Sequence, residues 1–191
     1  MTPGSPPTVR VVLPETDLAQ LTAVRSMADR VLAELAATLG VGPPARIEIR
    51  FHPTVEAYTR ATGQPWWTSA RTKGSRIDLL PLDVLRRRGI LELTLRHELV
   101  HVLADERLKG RPLWVREGLA IVQAGELASG TTAGRAGQGT NMAAGARDVA
   151  CPTDADFRDA ASPEAWRRVY EAAGRCVARA LATGTRWQDL R

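Results

Sequence analysis

The spacing of hydrophobic positions predicts strands and helices in the first half of the chain. Val9–Leu13 and Arg46–Phe51 have the apolar or alternating pattern of strands, and Arg76–Leu80 is a third, shorter β-like segment. Between the first two, apolar residues recur at helical spacing over Leu18–Leu39. The first half therefore combines a small sheet with at least one long helix.

The pattern over the rest of the chain favours helices. Helical spacing or helix start signals mark Val55–Ala61, Asp83–Arg88, Leu91–Glu106, Leu113–Gln123 and a last segment from Ser162 to about Ala182. In the last of these, Ser162 is placed as the N-cap and Pro163 at the first helical position. Strands and helices followed by helices alone predict the α+β class.

The length of 191 residues predicts one domain. We expect a short flexible lead over residues 1–8 and a single domain over 9–191. Within it, residues 9–106 would form the sheet and the helix that follows it, and residues 107–191 a helical part. Glycine recurs among small polar residues from 125 to 145, which predicts a loop there.

The charge of the chain excludes some partners. The formal net charge is +5, but the basic residues are scattered, and Arg86–Arg88 is the tight cluster among them. No nucleic-acid-binding module accompanies them, so we expect no nucleic-acid partner. No apolar run approaches the ~20 residues of a membrane span, so we also expect no transmembrane segment.

The N-terminus and the cysteines bear on location. Residues 1–7 have neither a basic region nor an apolar region of a signal peptide, which fits a flexible lead. They also fit a secreted or periplasmic protein after removal of its signal peptide, and a cytoplasmic location is the alternative. Cys151 and Cys176 could form a disulfide or remain buried thiols.

A metal-binding pattern lies inside the predicted helix Leu91–Glu106. Residues 97–101 have the sequence HELVH, an HExxH motif. Residues four apart share one helix face, so the imidazoles of His97 and His101 can reach one ion at the ~2.0–2.1 Å that zinc prefers. Glu98 is rotated towards the open side of the ion and can accept a proton from its water. The alternative is a surface helix with two histidines, but this pair uses two of only three histidines in the chain.

The third ligand is expected on the next helix. Catalytic zinc usually has three protein ligands and one water. Glu117 lies on the predicted helix Leu113–Gln123, which can pack antiparallel to the HExxH helix after the turn at 110–112. Asp105 and Glu106 are alternatives, although Asp105 would have to reach back along its own helix. We therefore predict Zn²⁺ held by His97, His101 and Glu117.

Two segments together resemble a known family. Residues 95–103 are LRHELVHVL, and residues 112–120 are PLWVREGLA. They resemble the gluzincin peptidases of the peptidase MA-like superfamily, which combine HExxH with a P-x-W-x-x-E-G-x-A element whose glutamate is the third zinc ligand. The resemblance covers roughly Ile47 to Gln123. Larger gluzincins have an acidic residue one turn after that glutamate, which orients a histidine, and this chain has Ile121 there.

The resemblance implies a fold and an activity. The fold would be zincin-like, with a small mixed or antiparallel sheet packed on the HExxH helix and a helical C-terminal part. Arg76–Leu80 would be the edge strand that lines the cleft and pairs with a peptide or protein substrate. Glu98 would act as general base in hydrolysis of a peptide bond at zinc. Alternatives are a metal-binding regulatory module without proteolytic activity and a cell-wall amide hydrolase.

Aromatic residues and the remaining histidine add weaker expectations. Tyr170, on the last predicted helix, is our candidate for stabilising the oxyanion, and the alternative is a half-buried aromatic residue of an amphipathic helix. Of the adjacent Trp66 and Trp67, one is expected in the core and the other could form a subsite wall. His52, at a strand end, is expected to be structural or exposed. The sequence carries no signal for an oligomeric state.

Overall fold

The computed structural model describes residues 7–129 and 150–191. Within these ranges the structure contains a four-stranded mixed sheet and a set of helices. Strands and helices come first along the chain and helices alone follow, which confirms the α+β class. The first strand begins at Thr8, inside the segment 1–8 that we expected to be a lead. Residues 1–6 lie outside the described ranges.

The sheet consists of β1 (Thr8–Val12), β2 (Arg46–Phe51), β3 (Ala70–Lys73) and β4 (Arg76–Leu79), in the order β1-β2-β4-β3. The first, second and fourth strands are parallel, and β3 runs antiparallel to β4 at the edge. Every second side chain of β2 is buried, as its alternating sequence predicts.

The expectation that Arg76–Leu80 forms the edge strand is wrong. That segment is β4, and it lies between β2 and β3. A two-residue connection, with Gly74 at a φ of 60°, folds β3 back onto β4, so that Lys73 pairs with Arg76. This turn conformation suits glycine, and the turn places β3 at the edge of the sheet. The polar sequence ARTK of β3 does not have the pattern that predicts a strand.

The helices include two short ones, over residues 126–129 and 154–159, that the sequence pattern did not predict, and the others lie close to their predicted positions. In chain order, the helices are α1 (Leu21–Leu39), α2 (Val55–Thr62), α3 (Leu82–Arg87), α4 (Leu91–Ala104), α5 (Leu113–Ala124), α6 (Glu126–Ser129), α7 (Asp154–Asp159) and α8 (Pro163–Ala182). A 3₁₀ turn over Glu15–Gln20 precedes α1, and another covers Trp187–Asp189. Ser162 caps α8 as predicted, because its hydroxyl accepts a hydrogen bond from the Ala165 amide.

The core lies between the sheet and the helices α1 and α4. One face of α4 buries Leu95, Leu99 and Leu103 in a cluster that also contains the inward side chains of β2. Trp187 closes this core near the end of the chain, and its indole N–H donates to the Leu39 carbonyl at 3.1 Å. The opposite face of α4 is free to present polar groups.

Two glycines bring α8 very close to α5. A Cβ atom added at Gly118 would lie 2.4 Å from the Ala173 carbonyl oxygen, and one at Gly174 would lie 2.6 Å from a methyl group of Ile121. Real side chains do not tolerate such distances, so only glycine permits this approach. The two glycines therefore set how near the side chains of α8 come to those of α5.

A disulfide holds the chain ahead of α7 against α8. Cys151 and Cys176 are bonded, with their Cα atoms 5.7 Å apart, which decides between the two alternatives that the sequence left open. The stretch 125–145, which we expected to be a glycine-rich loop, begins with a helix instead. Gly125 caps α5, and residues 126–129 form α6. The rest of that stretch falls outside the described residues.

The sequence predicts no transmembrane segment. Across 7–129 and 150–191, no helix combines the length and the hydropathy that a membrane span requires.

Candidate metal centre

The two histidines of the HExxH motif share one face of α4. His97 and His101 are both buried, and their Nε2 atoms lie 3.2 Å apart. Their spacing of four residues produces this arrangement, because one turn of helix places them one above the other. Both Nε2 atoms thus point into one small volume.

Glu117 reaches the same volume from α5. Its Oε2 atom lies 3.4 Å from the Nε2 atom of His97 and 3.4 Å from that of His101. An ion bound tetrahedrally at about 2.0–2.1 Å separates its ligand atoms by about 3.3–3.4 Å. The three atoms therefore have the spacing of three corners of a zinc tetrahedron, and the donor set of two imidazoles and one carboxylate suits that ion.

A carboxylate contacts the Nδ1 atom of each imidazole, on the side of the ring away from Glu117. His97 Nδ1 lies 2.7 Å from Glu126 Oε1, and His101 Nδ1 lies 3.0 Å from Asp105 Oδ1. Donation from Nδ1 to a carboxylate leaves the Nε2 lone pair free for a metal ion. Arg116 in turn pairs with the second oxygen of Asp105. These contacts fix the rings in the orientation that ligation needs.

The alternatives for the third ligand are placed elsewhere. Asp105 lies behind His101, on the Nδ1 side of the ring, and not beside the Nε2 atoms. The Glu106 side chain is 91% exposed, so it points to solvent. Of the three carboxylates that we weighed from the sequence, Glu117 alone converges with both histidines within the described residues.

The pKa values of the two histidines and of Glu117 are shifted strongly by their charged neighbours. Burial lowers the pKa of His97, but the carboxylates of Glu126 and Glu117 outweigh it and raise that pKa to about 10. His101 behaves in the same way, because Glu117 and Asp105 overcome its burial and raise its pKa well above the usual value. Burial acts to raise the pKa of Glu117, but the imidazoles dominate and hold it far below its usual range. The site thus demands positive charge, which either protons or a cation can supply.

Glu98 lies beside the three ligand atoms and is not one of them. Its side chain is buried, and its Oε2 atom accepts a hydrogen bond of 2.6 Å from the Thr72 hydroxyl on β3. Burial raises the pKa of Glu98, although the two imidazoles act in the opposite direction. A buried carboxylate with a raised pKa is a proton acceptor suited to general base catalysis.

Tyr170 faces the same centre from α8. Its ring stacks on Trp166, with centroids 3.6 Å apart, and meets the edge of Phe157 at 5.3 Å. Its side chain and that of Glu117 line the same cleft. Burial raises the pKa of Tyr170 well above its usual value, and the nearby carboxylates add to this effect. A raised pKa keeps the hydroxyl protonated at neutral pH, and a protonated hydroxyl can donate a hydrogen bond.

These groups line one cleft of about 180 Å³. The floor is formed by α4 and α5, one wall by β3 and the residues before it, and the other wall by Trp166 and Tyr170 of α8. Trp66 and Trp67 lie in a turn ahead of β3, not in a strand. Trp66 is 59% exposed and Trp67 is half-buried, and neither ring is among the described residues of the cleft wall.

His52 has a structural place, as expected. It is buried, and its Nε2 atom lies 2.9 Å from Asp78 Oδ1 on the neighbouring strand β4. This pair is separate from the residues that line the cleft.

Sequence reasoning missed three of the supporting residues. Glu126 lies in a stretch that we interpreted as loop, and Thr72 lies just after residues 66–70, which the sequence predicts to continue into either a strand or a turn. Asp105 was considered only as a ligand, although its position four residues after His101 is the helical spacing that predicts the contact. A buried acidic residue shortly after α5 could not be identified from sequence spacing alone.

Comparisons of the chain with protein-family models, curated proteins and solved structures gave no match.

Proposed function

We propose that this chain is a zinc-dependent peptidase of the gluzincin type with a zincin-like fold. The observation that carries the proposal is the triangle of ligand atoms from His97, His101 and Glu117, whose edges of 3.2, 3.4 and 3.4 Å match a zinc tetrahedron. Glu98 beside this triangle adds a base, which a purely structural metal site does not require.

The residues of the cleft divide the chemistry among them. Zinc, when bound, supplies Lewis acidity and lowers the pKa of a water ligand to about 7. Glu98 accepts the proton of the attacking water and delivers it to the leaving amine. Tyr170, a protonated donor at the cleft, hydrogen-bonds to the oxygen on which negative charge develops.

The substrate in this proposal is an extended peptide or protein segment. β3 is the last strand in the sheet order, and three of its residues line the cleft. A peptide added along this edge would bind through backbone hydrogen bonds, which depend little on sequence. The role that we had given to Arg76–Leu80 thus passes to Ala70–Lys73.

The disulfide supports a secreted or periplasmic location, with the cytoplasm as the alternative. Disulfides persist in oxidising compartments and are rare in a reducing cytosol. A cell-wall peptide is accordingly a substrate worth testing beside a soluble protein.

The test compares the parent protein with Glu98→Gln, using casein and peptidoglycan fragments as substrates. We expect both proteins to bind one zinc ion per chain by elemental analysis, and the variant to lose at least about 100-fold in rate because the base is removed. Glu106→Gln is the matched control, since its side chain is exposed, and it should retain full activity.

The outcomes separate the alternatives. Hydrolysis of the peptidoglycan fragments alone would indicate a cell-wall amide hydrolase. Zinc binding without hydrolysis of either substrate would indicate a binding or regulatory module. Equal rates for the parent and Glu98→Gln would contradict the proposed mechanism, and a parent that binds no zinc would contradict the whole proposal.

A further inference from the structure

A single hydrogen bond connects the edge strand to the carboxylate of Glu98. Thr72 is the third residue of β3, and its Oγ1 atom lies 2.6 Å from Glu98 Oε2 and 3.4 Å from the Glu98 carbonyl oxygen. A threonine hydroxyl has one proton to donate, and the much shorter contact shows that the carboxylate receives it. The bond therefore selects one oxygen of Glu98 and leaves the other for a different partner.

Glu98 depends on this bond for its orientation. Its side chain is buried, and among the described residues Thr72 alone hydrogen-bonds to its carboxylate. A buried carboxylate without a donor loses the interaction that replaces water, and it can rotate about its terminal torsion. Displacement of a catalytic group by about 1 Å can lower a rate by about 100-fold.

We propose that Thr72 is a positioning residue, which holds the Glu98 carboxylate in the orientation for accepting a proton through its hydroxyl hydrogen bond. The proposal rests on the proposed function, in which Glu98 is the base. Thr72 also belongs to the strand that would pair with the substrate. The same strand would thus align the peptide through its backbone and the base through a side chain.

The kinetic test uses two substitutions at this position. Thr72→Val keeps the shape and removes the hydroxyl, so we expect kcat to fall by about 10–100-fold while KM changes less than about twofold. Thr72→Ser keeps the hydroxyl, and we expect it to retain kcat within about threefold of the parent. Both variants should bind zinc with parental stoichiometry and affinity, because Thr72 is not a ligand.

A second test does not depend on hydrolysis. Because Thr72→Val removes this hydrogen bond, we expect it to lower Tm by about 2–4 °C in the parent and by less than about 1 °C in a Glu98→Ala background. Thr94→Val is the matched control. Thr94 is a fully buried threonine of α4, and its hydroxyl has no hydrogen-bond partner in the described part of the chain. We expect it to leave kcat unchanged and not to lower Tm, because replacing a buried hydroxyl that has no partner removes an unfavourable group.

Three results would overturn the proposal. They are a parental kcat in Thr72→Val, a loss in Thr72→Ser as large as that in Thr72→Val, and equal Tm losses in the two backgrounds. If Glu98→Gln is inactive while Thr72→Val is unaffected, only the role of Thr72 falls. If Glu98→Gln hydrolyses as fast as the parent, the proposed function falls as well.

Discussion

At the scale of single residues, each imidazole of the proposed zinc site has its own carboxylate at the Nδ1 atom. Asp105 supports His101 from the same helix, and Glu126 supports His97 from α6. In the larger gluzincins, which the sequence resembles, the orienting acid lies one turn after the glutamate ligand, and this chain has Ile121 at that position. Glu126 supplies that contact from a later position, so the support of His97 depends on the short helix that follows α5.

Removal of either supporting charge should weaken zinc binding without removing a ligand. We expect Glu126→Gln and Asp105→Asn each to raise the zinc Kd by about 10–100-fold, because an amide accepts the Nδ1 hydrogen bond less strongly than a carboxylate. Competition with a chromophoric chelator measures this Kd. Glu106→Gln, one residue from Asp105 but exposed, should not change it. Parental affinity in both support variants would contradict this account.

At the scale of helices and strands, the sequence predicts elements where periodicity is strong. The apolar spacing of α1 and α4 and the alternation of β2 determined their positions within a few residues. The histidine pair followed from helical geometry, since its four-residue spacing needs no tertiary information.

Other features depend on contacts that spacing does not contain. β3 is short and polar, and it is a strand because a tight turn returns it to β4 and because Thr72 contacts α4. Glu126 lies beside a glycine-rich stretch, and only the packing of α6 shows that it is buried. The pairing of the two cysteines required the distance between their Cα atoms.

The contact between α5 and α8 is the element on which the placement of Tyr170 depends. A methyl group at Gly118 would overlap the backbone of Ala173, which cannot move without shifting α8. We expect Gly118→Ala to lower the free energy of unfolding by about 1–3 kcal/mol, measured by urea denaturation. It should also reduce activity, since Tyr170 would move away from Glu117.

A second glycine provides the control for this substitution. A Cβ atom at Gly42 meets nothing within 4 Å, so Gly42→Ala should change the free energy of unfolding by less than about 1 kcal/mol. Unfolding curves of Gly118→Ala that coincide with those of the parent would mean that the two helices are not held as closely as described.

At the scale of the whole molecule, zinc binding should be linked to stability. The proposed ligands come from two helices, so an ion that binds the folded chain shifts the unfolding equilibrium. At zinc concentrations about 100 times Kd, we expect Tm to rise by about 5–10 °C, and EDTA should reverse the rise. Differential scanning calorimetry measures both effects. In Glu117→Ala the rise should be much smaller, and a rise equal to that of the parent would exclude Glu117 as a ligand.

The disulfide should contribute to stability independently of the metal. It closes a loop with a sequence separation of 25 residues, and loop closure of that size is worth roughly 2–4 kcal/mol. We therefore expect the Cys151→Ser, Cys176→Ser double variant to lose about that much in urea denaturation. Dithiothreitol should lower the stability of the parent to that of the variant and leave the variant unchanged. A parent insensitive to the reductant would contradict the link.

The groups that we propose to hold and support the ion all lie between His97 and Glu126. The two walls of the cleft come from β3 and α8, on either side of that interval in the chain. Inheritance or engineering can consequently alter the walls while the ion-holding unit stays intact. Exchanging wall residues such as Ala70 and Arg71, with Thr72 and Tyr170 kept, is thus a route to a new range of substrates that does not require rebuilding the chemistry.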